Sequence, residues 1–335
     1  MKRICIYGAG AIGGFIGTRI AAAGGCTVSA VARGATLAAL RRHGWRLRQG
    51  GELISAPCLA SDRPAELGEQ DLVIIAVKGP ALPVVAAGIG PLLGAHTVVL
   101  PAMNGVPWWF GVGSPALGDA PLHSVDPGGR IAAAIPMDAV LGCVVHASAA
   151  SAEPGLVEHK MGQRLIVGEP RAGRSARAQA VADLLEHAGF EATLSPDIRR
   201  EVWYKLWGNL TMNPVSAITG ASADRVLDDP LVREFCSAAM REAAAVGVHV
   251  GCEIVQTPED RHAVTRKLGA FRTSMQQDMA AGRPIELDAI VGVVREIAQR
   301  VGVATPNIDA LMGLTRLLGR VRGVYPDEPE QTAEG

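Results

Sequence analysis

The first half of the chain alternates short apolar runs with segments of helical pattern. Residues 3–7 (RICIY) and 27–32 (TVSAVA) predict two strands, and the small residues of 11–23 predict a helix between them, which completes a βαβ unit. Further apolar runs follow at 71–77, 97–100 and 140–145. Strands that are buried on both faces have this composition, so the pattern predicts an α/β fold with a doubly wound parallel sheet.

The pattern changes near residue 198, where helical periodicity takes over. A strand pair near 155–168 and a helix near 173–188 close the strand-rich half. Helical segments are then predicted near 199–212, 230–246, 258–280, 286–301 and 307–319. We therefore predict a sheet domain at 1–195, an all-α C-terminal domain at 196–325, and a polar tail at 326–335.

Residues 106–136 interrupt this organisation. The stretch is rich in Gly, Pro and Asp, and an aromatic cluster of Trp108, Trp109 and Phe110 lies near its start. Loops of this length inside a compact domain are uncommon, and they are usually functional or disordered. We interpret the stretch as a long loop or lid, whose aromatic cluster either lines the mouth of a pocket or packs the loop in place.

The amino-acid composition argues against nucleic acid and metal ions as binding partners. The chain has 32 Lys+Arg against 33 Asp+Glu, which leaves no basic field for nucleic acid. The 6 cysteines form no CxxC pair and the 8 histidines show no HxxxH spacing, so we expect no metal site. The apolar run at the N-terminus is too short for a signal peptide or a membrane span, so we expect a cytoplasmic protein with reduced thiols.

A glycine-rich motif follows the first predicted strand. The sequence Gly8-Ala9-Gly10-Ala11-Ile12-Gly13 is a GxGxxG motif between that strand and the first helix. In this position the motif is typical of dinucleotide-binding proteins. Its glycines permit a tight turn, close approach of a pyrophosphate and close packing of the helix on the strand. The motif predicts a Rossmann-type dinucleotide site with phosphates at the helix N-terminus.

The end of the second predicted strand indicates which dinucleotide binds. NAD-specific sites usually place Asp or Glu there to hold the ribose 2′-hydroxyl, whereas this strand ends Val31-Ala32-Arg33-Gly34. Arg33 can pair with a 2′-phosphate, so the sequence predicts NADPH/NADP+ as cofactor. The alternative is a solvated surface arginine.

A polar stripe is predicted on the first helix of the C-terminal half. Lys205, Asn209 and Asn213 are spaced four residues apart and therefore share one helix face. One ammonium and two amides on an otherwise apolar helix can hold a carboxylate and a carbonyl oxygen together. Spacing alone leaves a solvent-facing lysine equally open.

Taken in order along the chain, these motifs resemble the ketopantoate reductase (2-dehydropantoate 2-reductase) family. The likeness runs over most of the sequence. It includes GAGAIG at 8–13, Arg33, Val77-Lys78, Asn104-Gly105, the Lys205/Asn209/Asn213 face, Thr273 to Asp278, and Glu286-Leu287-Asp288. The resemblance implies NADPH-dependent reduction of the C2 keto group of 2-dehydropantoate to pantoate, a step of pantothenate and coenzyme A biosynthesis.

The resemblance also implies a role for each matching position. Lys205 would be the proton donor, because an ammonium can stabilise and protonate the alkoxide that hydride transfer creates. The substrate would be bound by Asn104, Lys205, Asn209, Asn213 and Ser274. The cofactor would be bound by Gly8, Ala9, Gly10, Ala11, Ile12, Gly13, Arg33, Lys78, Asn104, Ala147 and Glu286.

Two departures from the family pattern keep other functions open. A further asparagine expected after Asn213 is replaced within Thr219-Gly220-Ala221-Ser222-Ala223, and residues 106–136 are not part of the simplest family pattern. One alternative is therefore a related reductase of another branched 2-oxo acid, or a 3-hydroxy acid dehydrogenase. Another is an NADP(H)-sensing protein without catalysis. A homodimer is possible, although no stripe in the sequence demands it.

Overall fold

The computed structural model describes residues 1–118 and 120–327. The chain forms two compact units. The first holds Met1–Gly113 and Asp126–Val202, and the second holds Ser114–Val125 together with the described residues from Trp203 onward. The domain limits at 1–195 and 196–325 stay a prediction, since packing density alone does not define an independently folding domain.

A five-stranded parallel sheet forms the centre of the first unit. Its strands are β1 (Arg3–Tyr7) and β2 (Thr27–Val31), then, after two strands of another sheet, β5 (Leu59–Ser61), β6 (Leu72–Ile75) and β7 (Val98–Pro101). Their order across the sheet is β5-β2-β1-β6-β7, and every neighbouring pair is parallel. The chain therefore winds outward from β1 in one direction and then returns to wind in the other, as a doubly wound sheet does.

A second, mixed sheet was not predicted. It consists of β3 (Trp45–Gln49), β4 (Glu52–Ala56), β8 (Gly142–Glu153), β9 (Leu156–Gly168) and β10 (Glu191–Leu194). The strands β3 and β4 form a hairpin, and the long strands β8 and β9 pair antiparallel. The strand pair predicted near 155–168 is wrong, because this stretch is the single strand β9, whose partners lie elsewhere in the chain.

The first helix is packed on both sides, which explains its small residues. The first-unit helices are α1 (Ala11–Ala23), α2 (Gly34–His43), α3 (Leu82–Gly88), α4 (Arg130–Ala134) and α5 (Ala176–His187). Helix α1 contacts strands of both sheets. A Cβ on Gly17 would lie 2.7 Å from the Trp45 ring, and one on Gly14 would lie 2.5 Å from Val157. Larger residues would separate the layers, since close-packed interiors have no spare room.

The stretch predicted as a long loop is partly ordered by local packing. It is mostly turns and contains the short helix α4, whose first N–H groups are bound by the buried carboxylate of Asp126. Trp108, Trp109 and Phe110 are all buried. The Arg199 guanidinium lies 4.8 Å from the Phe110 ring centroid, and its Nε donates to the Phe110 carbonyl at 2.9 Å. The aromatic cluster therefore packs the interior of the first unit.

The second unit is helical, as predicted. Its helices are the C-terminal part of α6 (Ile198–Thr219), α7 (Ala223–Asp228), α8 (Pro230–His249), α9 (Pro258–Arg266), α10 (Ser274–Ala280), α11 (Val293–Val301) and α12 (Pro306–Val321). A π-helical turn at Asp288–Gly292 precedes α11. The single helix predicted at 258–280 is wrong: it is two helices, because Thr273 starts α10 by accepting the N–H of Gln276.

A segment from the middle of the chain completes the second unit. Ser114–Val125 packs against α11, where both oxygens of the Glu296 carboxylate accept backbone N–H groups, from His123 and Ser124, each at 2.7 Å. Arg300, one turn further on, donates to Glu296 and to the carbonyls of Ala120 and Pro121. Leu122, in the same segment, is buried.

Part of the predicted polar tail lies outside the described residues, which end at Asp327. Within the described residues no helix is long and apolar enough to cross a membrane. The same residues contain no group of three or more His, Cys, Asp or Glu side chains arranged to hold a metal ion.

Candidate active site

The glycine-rich turn after β1 has the geometry that a dinucleotide-binding loop needs. Gly8 has a φ of +99°, and a Cβ there would lie 2.6 Å from Val77. A Cβ on Gly13 would overlap the Gly8 carbonyl oxygen, so only glycine lets α1 approach the strand this closely. Gly10, by contrast, has open space in front of its Cα. The turn is therefore closed on its protein side and open at the helix N-terminus, where a pyrophosphate would bind.

Four of the predicted cofactor positions lie at the carboxyl ends of four adjacent strands. Gly8 follows β1, Arg33 follows β2 by two residues, Lys78 follows β6 by three, and Asn104 follows β7 by three. Parallel strands end at the same sheet edge, and the order reverses between β1 and β6. Ligands of open α/β sheets bind at this reversal, and these residues fit a dinucleotide there.

Arg33 lies at the end of β2, beside the aromatic side chain of β1. It is exposed and occupies the N-cap position of α2. Burial raises the pKa of the Tyr7 hydroxyl, and the nearby charge of Arg33 partly offsets that rise. The adjacent strand β5 brings Glu66 to the same edge, where its carboxylate is engaged by Arg63 and Ser61. Glu66 was not considered in the sequence analysis, because β5 was not predicted.

The remaining first-unit positions are half-buried. Nζ of Lys78 is buried, and Asn104 precedes Gly105, which has a φ of +81°. Ala147 lies in β8 at an irregularity of the ladder, between the pairs His146–Arg164 and Ser148–Met161. A Cβ on the facing Gly162 would lie 2.5 Å from the His146 carbonyl oxygen. Bulges of this kind redirect side chains and are common beside active sites.

The predicted polar stripe lies on α6 within the second unit. Lys205 and Asn209 are half-buried and Asn213 is buried. The opposite side of α6 is anchored by large apolar side chains, including Trp207, whose Nε1 donates to the Met240 carbonyl at 2.7 Å. Rotation of the helix about its axis would expose these rings, so the anchor fixes the direction in which the stripe points.

Ser216 and Thr273 extend the stripe and were missed. Ser216 is three residues beyond Asn213, and its hydroxyl donates to the Asn213 carbonyl at 3.1 Å. It also lies 2.7 Å from the Thr273 hydroxyl, and both residues are buried. This pair ties the start of α10, where exposed Ser274 lies, to the α6 stripe. The position of Ser216, three residues after Asn213, could have been recognised from the sequence. Its contact with Thr273 could not.

Glu286 precedes the π-helical turn, and its neighbours Ile285 and Asp288 are bonded to Val324 and Tyr325. The Ile285 N–H donates to the Val324 carbonyl at 3.1 Å, and the Tyr325 hydroxyl donates to the Asp288 carboxylate at 2.7 Å. Burial, together with the Asp288 charge and this hydrogen bond, raises the pKa of Tyr325. π-Helical turns often mark functional sites.

Taken separately, each unit brings together one set of predicted residues. The first holds the glycine motif, Arg33, Lys78, Asn104 and Ala147; the second holds Lys205, Asn209, Asn213, Ser274 and Glu286. A dinucleotide-binding sheet unit joined to a helical unit with a lysine-amide stripe defines a class: the two-domain nicotinamide-dependent oxidoreductases.

Comparison with known proteins gives the family within this class. The model of the family "Ketopantoate reductase PanE/ApbA" matches residues 4–172, and that of its C-terminal domain, "Ketopantoate reductase PanE/ApbA C terminal", matches residues 197–319. The chain belongs to the ketopantoate reductase family. The predicted fold class and enzyme class, an NADP-dependent oxidoreductase of the 2-dehydropantoate 2-reductase type, are thereby confirmed.

Individual relatives agree over nearly the whole length. A 2-dehydropantoate 2-reductase of Mesorhizobium japonicum is 42% identical over 325 residues, which cover 96% of this chain and 99% of that protein. A crystal structure from Ralstonia solanacearum, assigned provisionally as a ketopantoate reductase, is 54% identical with a TM-score of 0.92, covering 97% and 100% of the two chains. D-mandelate dehydrogenase with NADH and anilino(oxo)acetate shares the fold at 23% identity and a TM-score of 0.82, covering 97% and 100%.

Proposed function

We propose that the α6 stripe binds and protonates a 2-oxo acid while the β1–α1 turn and the neighbouring strand ends hold NADPH. The observation that carries this proposal is the continuous polar stripe Lys205, Asn209, Asn213 and Ser216, fixed on its apolar side by Trp207. Most of α6 is buried, and polar side chains on a buried helix are retained where they have hydrogen-bonding partners. A substrate with a carbonyl and a carboxylate uses all of them.

The residues divide the chemistry as follows. NADPH, when bound, supplies a hydride to the keto carbon. The carbonyl oxygen then gains negative charge, which the Lys205 ammonium stabilises before it donates a proton to that oxygen. Asn209 and Asn213 orient the substrate along the helix, and Ser274 closes the same end of the stripe. Correct positioning of this kind lowers the activation barrier of the reaction. The substrate loses its translational and rotational freedom on binding, so this entropy is not lost again in the transition state.

Arg33 supports NADPH over NADH. It follows β2 by two residues at the edge of the sheet, and Glu66, the acid that follows β5, is paired with Arg63. A 2′-phosphate beside Arg33 would form charge-assisted hydrogen bonds, whereas a 2′-hydroxyl would not. The family supports the same choice, although the related D-mandelate dehydrogenase was crystallised with NADH.

The stretch that lacks the expected amide supports a wider range of 2-oxo acids than 2-dehydropantoate alone. Ala223, at the end of the stretch where a further amide was expected, is buried in an apolar cluster with Met212 and Val215. A pocket without that amide loses one way to recognise a substrate hydroxyl, and an apolar wall distinguishes methylenes by only about 1–3 kcal/mol. This observation favours a branched 2-oxo acid reductase as the second candidate function.

NADPH oxidation with purified protein separates the candidates. We expect turnover with 2-dehydropantoate, and an advantage over a hydroxyl-free analogue below about 10⁴ in kcat/KM. Turnover of the analogue alone would favour the second candidate, and NADPH binding without turnover of either acid would favour a sensing protein. In Trp108→Ala, a packing role for the aromatic cluster predicts a lower Tm and an unchanged substrate ratio.

A cytoplasmic location and the absence of a nucleic-acid partner stay predictions. The near-zero net charge of the chain, −1 at pH 7, supports the second of these.

A further inference from the structure

Two arginines lie at matching positions beyond two neighbouring strands of the parallel sheet. Val31 of β2 is paired with Ser61 of β5, and the Ala32 N–H donates to the Ser61 carbonyl at 3.0 Å. Arg33 follows Val31 by two residues, and Arg63 follows Ser61 by two. The backbone is extended at both arginines. Paired residues of parallel strands share a face of the sheet, and so do residues two apart, so the register places both arginines on one face of this edge.

The contacts of Glu66 show that Arg63 shares the face of Ser61. One oxygen of the Glu66 carboxylate accepts from the Ser61 hydroxyl, and the other accepts from Nη2 of Arg63. The Ser61 hydroxyl also accepts the Arg63 N–H at 3.0 Å. Ser61 is buried, whereas the Arg63 side chain is 76% exposed. The guanidinium therefore lies in solvent at the sheet edge, on the face to which Ser61 belongs.

The Tyr7 side chain connects this place to Arg33. Tyr7 lies on the neighbouring strand β1, at the same level across the sheet. A Cβ on Gly88 would lie 3.0 Å from the Tyr7 hydroxyl and 4.0 Å from the Pro64 ring, so the hydroxyl and this ring are close together. Burial raises the pKa of the Tyr7 hydroxyl, and the charge of Arg33 opposes the rise. Arg33 and the turn at 63–66 therefore approach the same side chain.

The two cations differ in the acids that engage them. Among the described residues Arg33 forms no ion pair, and Arg63 pairs only with Glu66, three residues further on. The exposed carboxylate of Asp62 is bound to neither cation. Exposed pairs such as Arg63–Glu66 contribute little free energy, because water screens both charges. Glu66 therefore holds Arg63 at the edge without preventing it from binding another anion.

The cofactor of the proposed function presents an anion of matching charge. A phosphate monoester such as the 2′-phosphate of NADPH carries about −1.5 to −2 charges at pH 7, and its oxygens are strong hydrogen-bond acceptors. One guanidinium leaves part of that charge uncompensated, whereas two guanidinium groups neutralise it. An arginine binds phosphate oxygens through two parallel N–H groups, so two arginines can hold one phosphate from two sides.

Resting on the proposed NADPH site, we propose that Arg63 is a second ligand of the 2′-phosphate and shares it with Arg33. On binding, the Arg63 guanidinium exchanges the Glu66 carboxylate for phosphate oxygens, while the Ser61 hydroxyl keeps its hydrogen bond to Glu66. Arg63 is then a specificity-determining residue for NADPH over NADH. Glu66 competes with the phosphate for this arginine, so it limits the preference that Arg63 provides.

Titration of the full chain with 2′,5′-ADP and with 5′-AMP, the adenosine fragments of NADPH and NADH, tests this role. Arg63→Gln should weaken the binding of 2′,5′-ADP about 10-fold and leave that of 5′-AMP unchanged, because only the first carries the 2′-phosphate. NADPH and NADH should show the same contrast. The control is Arg200→Gln, which breaks another exposed pair of the first unit, with Asp197, at the same three-residue spacing. This variant should bind all four ligands as wild type does.

A double-variant cycle separates phosphate binding by Arg63 from simple neutralisation of Glu66. If Arg63 binds the phosphate, Glu66→Gln should strengthen the binding of 2′,5′-ADP about 3-fold, and adding Arg63→Gln should then weaken it about 10-fold. If Arg63 only neutralises Glu66, its removal should have no effect once Glu66→Gln has removed the acid. Equal affinity of the double variant and Glu66→Gln for 2′,5′-ADP therefore overturns the proposal.

The outcomes also separate this inference from the function on which it rests. A wild type that binds 2′,5′-ADP no more tightly than 5′-AMP would overturn the NADPH site itself. A wild-type preference for 2′,5′-ADP that is lost in Arg33→Ala but unchanged in Arg63→Gln would overturn the role of Arg63 alone. An equal loss of both ligands in Arg63→Gln would assign this arginine a structural role, and that result also overturns the inference. An unchanged Tm shows that each variant is folded.

Discussion

The two halves of the candidate site are built in different ways. In the first unit, the cofactor positions are set by backbone: Gly8 and Gly13 fix the turn, and Arg33, Lys78 and Asn104 follow the ends of adjacent strands. In the second unit, the substrate positions are set by side chains along one face of α6, whose direction depends on buried tryptophans and on the Ser216–Thr273 contact.

The difference has a consequence for how each half tolerates change. A backbone site depends on glycines and strand order, so it resists substitution of surrounding side chains and fails when a Cβ is added at the wrong position. A side-chain site on a helix can keep its shape while single groups are exchanged. Substrate choice can therefore vary while the fold and the cofactor remain the same.

The largest effect is expected at the proton donor. Lys205→Ala should lower kcat by about 10²–10⁴, because a positioned general acid contributes about that much. The Kd for NADPH should change little, since Lys205 is predicted to contact the substrate and not the cofactor. Stopped-flow turnover and fluorescence titration of NADPH measure the two quantities. Near-normal turnover would remove Lys205 from the mechanism.

A smaller effect is expected at the ribose end of the cofactor. Arg33→Ala should erase most of the preference for NADPH over NADH, which we place at about 1.5–3 kcal/mol if charge-assisted hydrogen bonds form. Titration of both cofactors against wild type and variant measures this preference. Arg42→Ala, which removes an exposed arginine from α2, is the control and should keep it. Equal affinity of the wild type for both cofactors would contradict the role of Arg33.

Two glycine substitutions separate a structural role from a cofactor-binding role within the turn after β1. Gly13→Ala should lower the free energy of unfolding by about 1–3 kcal/mol, because its Cβ overlaps the Gly8 carbonyl oxygen and the helix must move. Gly10→Ala has open space, so it should leave stability unchanged and weaken only NADPH binding. Urea denaturation and NADPH titration separate these effects. Equal loss of stability in both variants would show that Gly10 is structural.

The smallest effect is a pH dependence confined to the second unit. His262 is buried, with Nε2 3.0 Å from the Ser237 hydroxyl. Burial lowers its pKa, as do the charges of Arg233, Arg266 and Arg261, while Glu259 opposes them. The unfolded chain therefore binds a proton more readily, and stability should be lost as pH falls below about 6.5.

Thermal unfolding of wild type and His262→Gln at pH 7.5 and 5.5 tests this dependence. The amide of Gln can still bond to Ser237 but does not titrate in this range. The variant should therefore lose less Tm on acidification than wild type does. An identical loss in both proteins would assign the pH response to other groups.

The two halves also differ in how far the sequence predicts them. The parallel sheet and its glycine motif follow from local pattern, because apolar runs and glycine spacing are local properties. The order of the strands and the short strand β5 (Leu59–Ser61) were not predicted. The mixed sheet was missed for two reasons. The strands β3 and β4 are partly exposed, and β8 and β9 are stabilised by pairing with each other. Pairing between distant strands leaves no signal in either strand alone.

Along α6, the spacing of Lys205, Asn209 and Asn213 could be predicted, but their environment could not. The Ser216–Thr273 contact joins residues 57 apart in sequence. The burial of Trp108 to Phe110 was one of two interpretations that the sequence left open, and only tertiary packing distinguishes them. Helical periodicity predicts which residues share a helix face. Which residues pack against that face is decided by the tertiary structure.

The clasp on α11 has a consequence for the order in which the protein is made. The His123 N–H and the Glu296 carboxylate that accepts it are 173 residues apart, and the strands β8, β9 and β10 are synthesised between them. At about 5–20 residues per second, a ribosome needs roughly 10–35 s to deliver the acceptor after the donor. During that interval the first sheet can form, while Leu122 waits for the rest of the second unit, to which its segment belongs. The nascent chain therefore carries an exposed apolar segment that a chaperone could bind, and the second unit cannot close until translation is nearly complete.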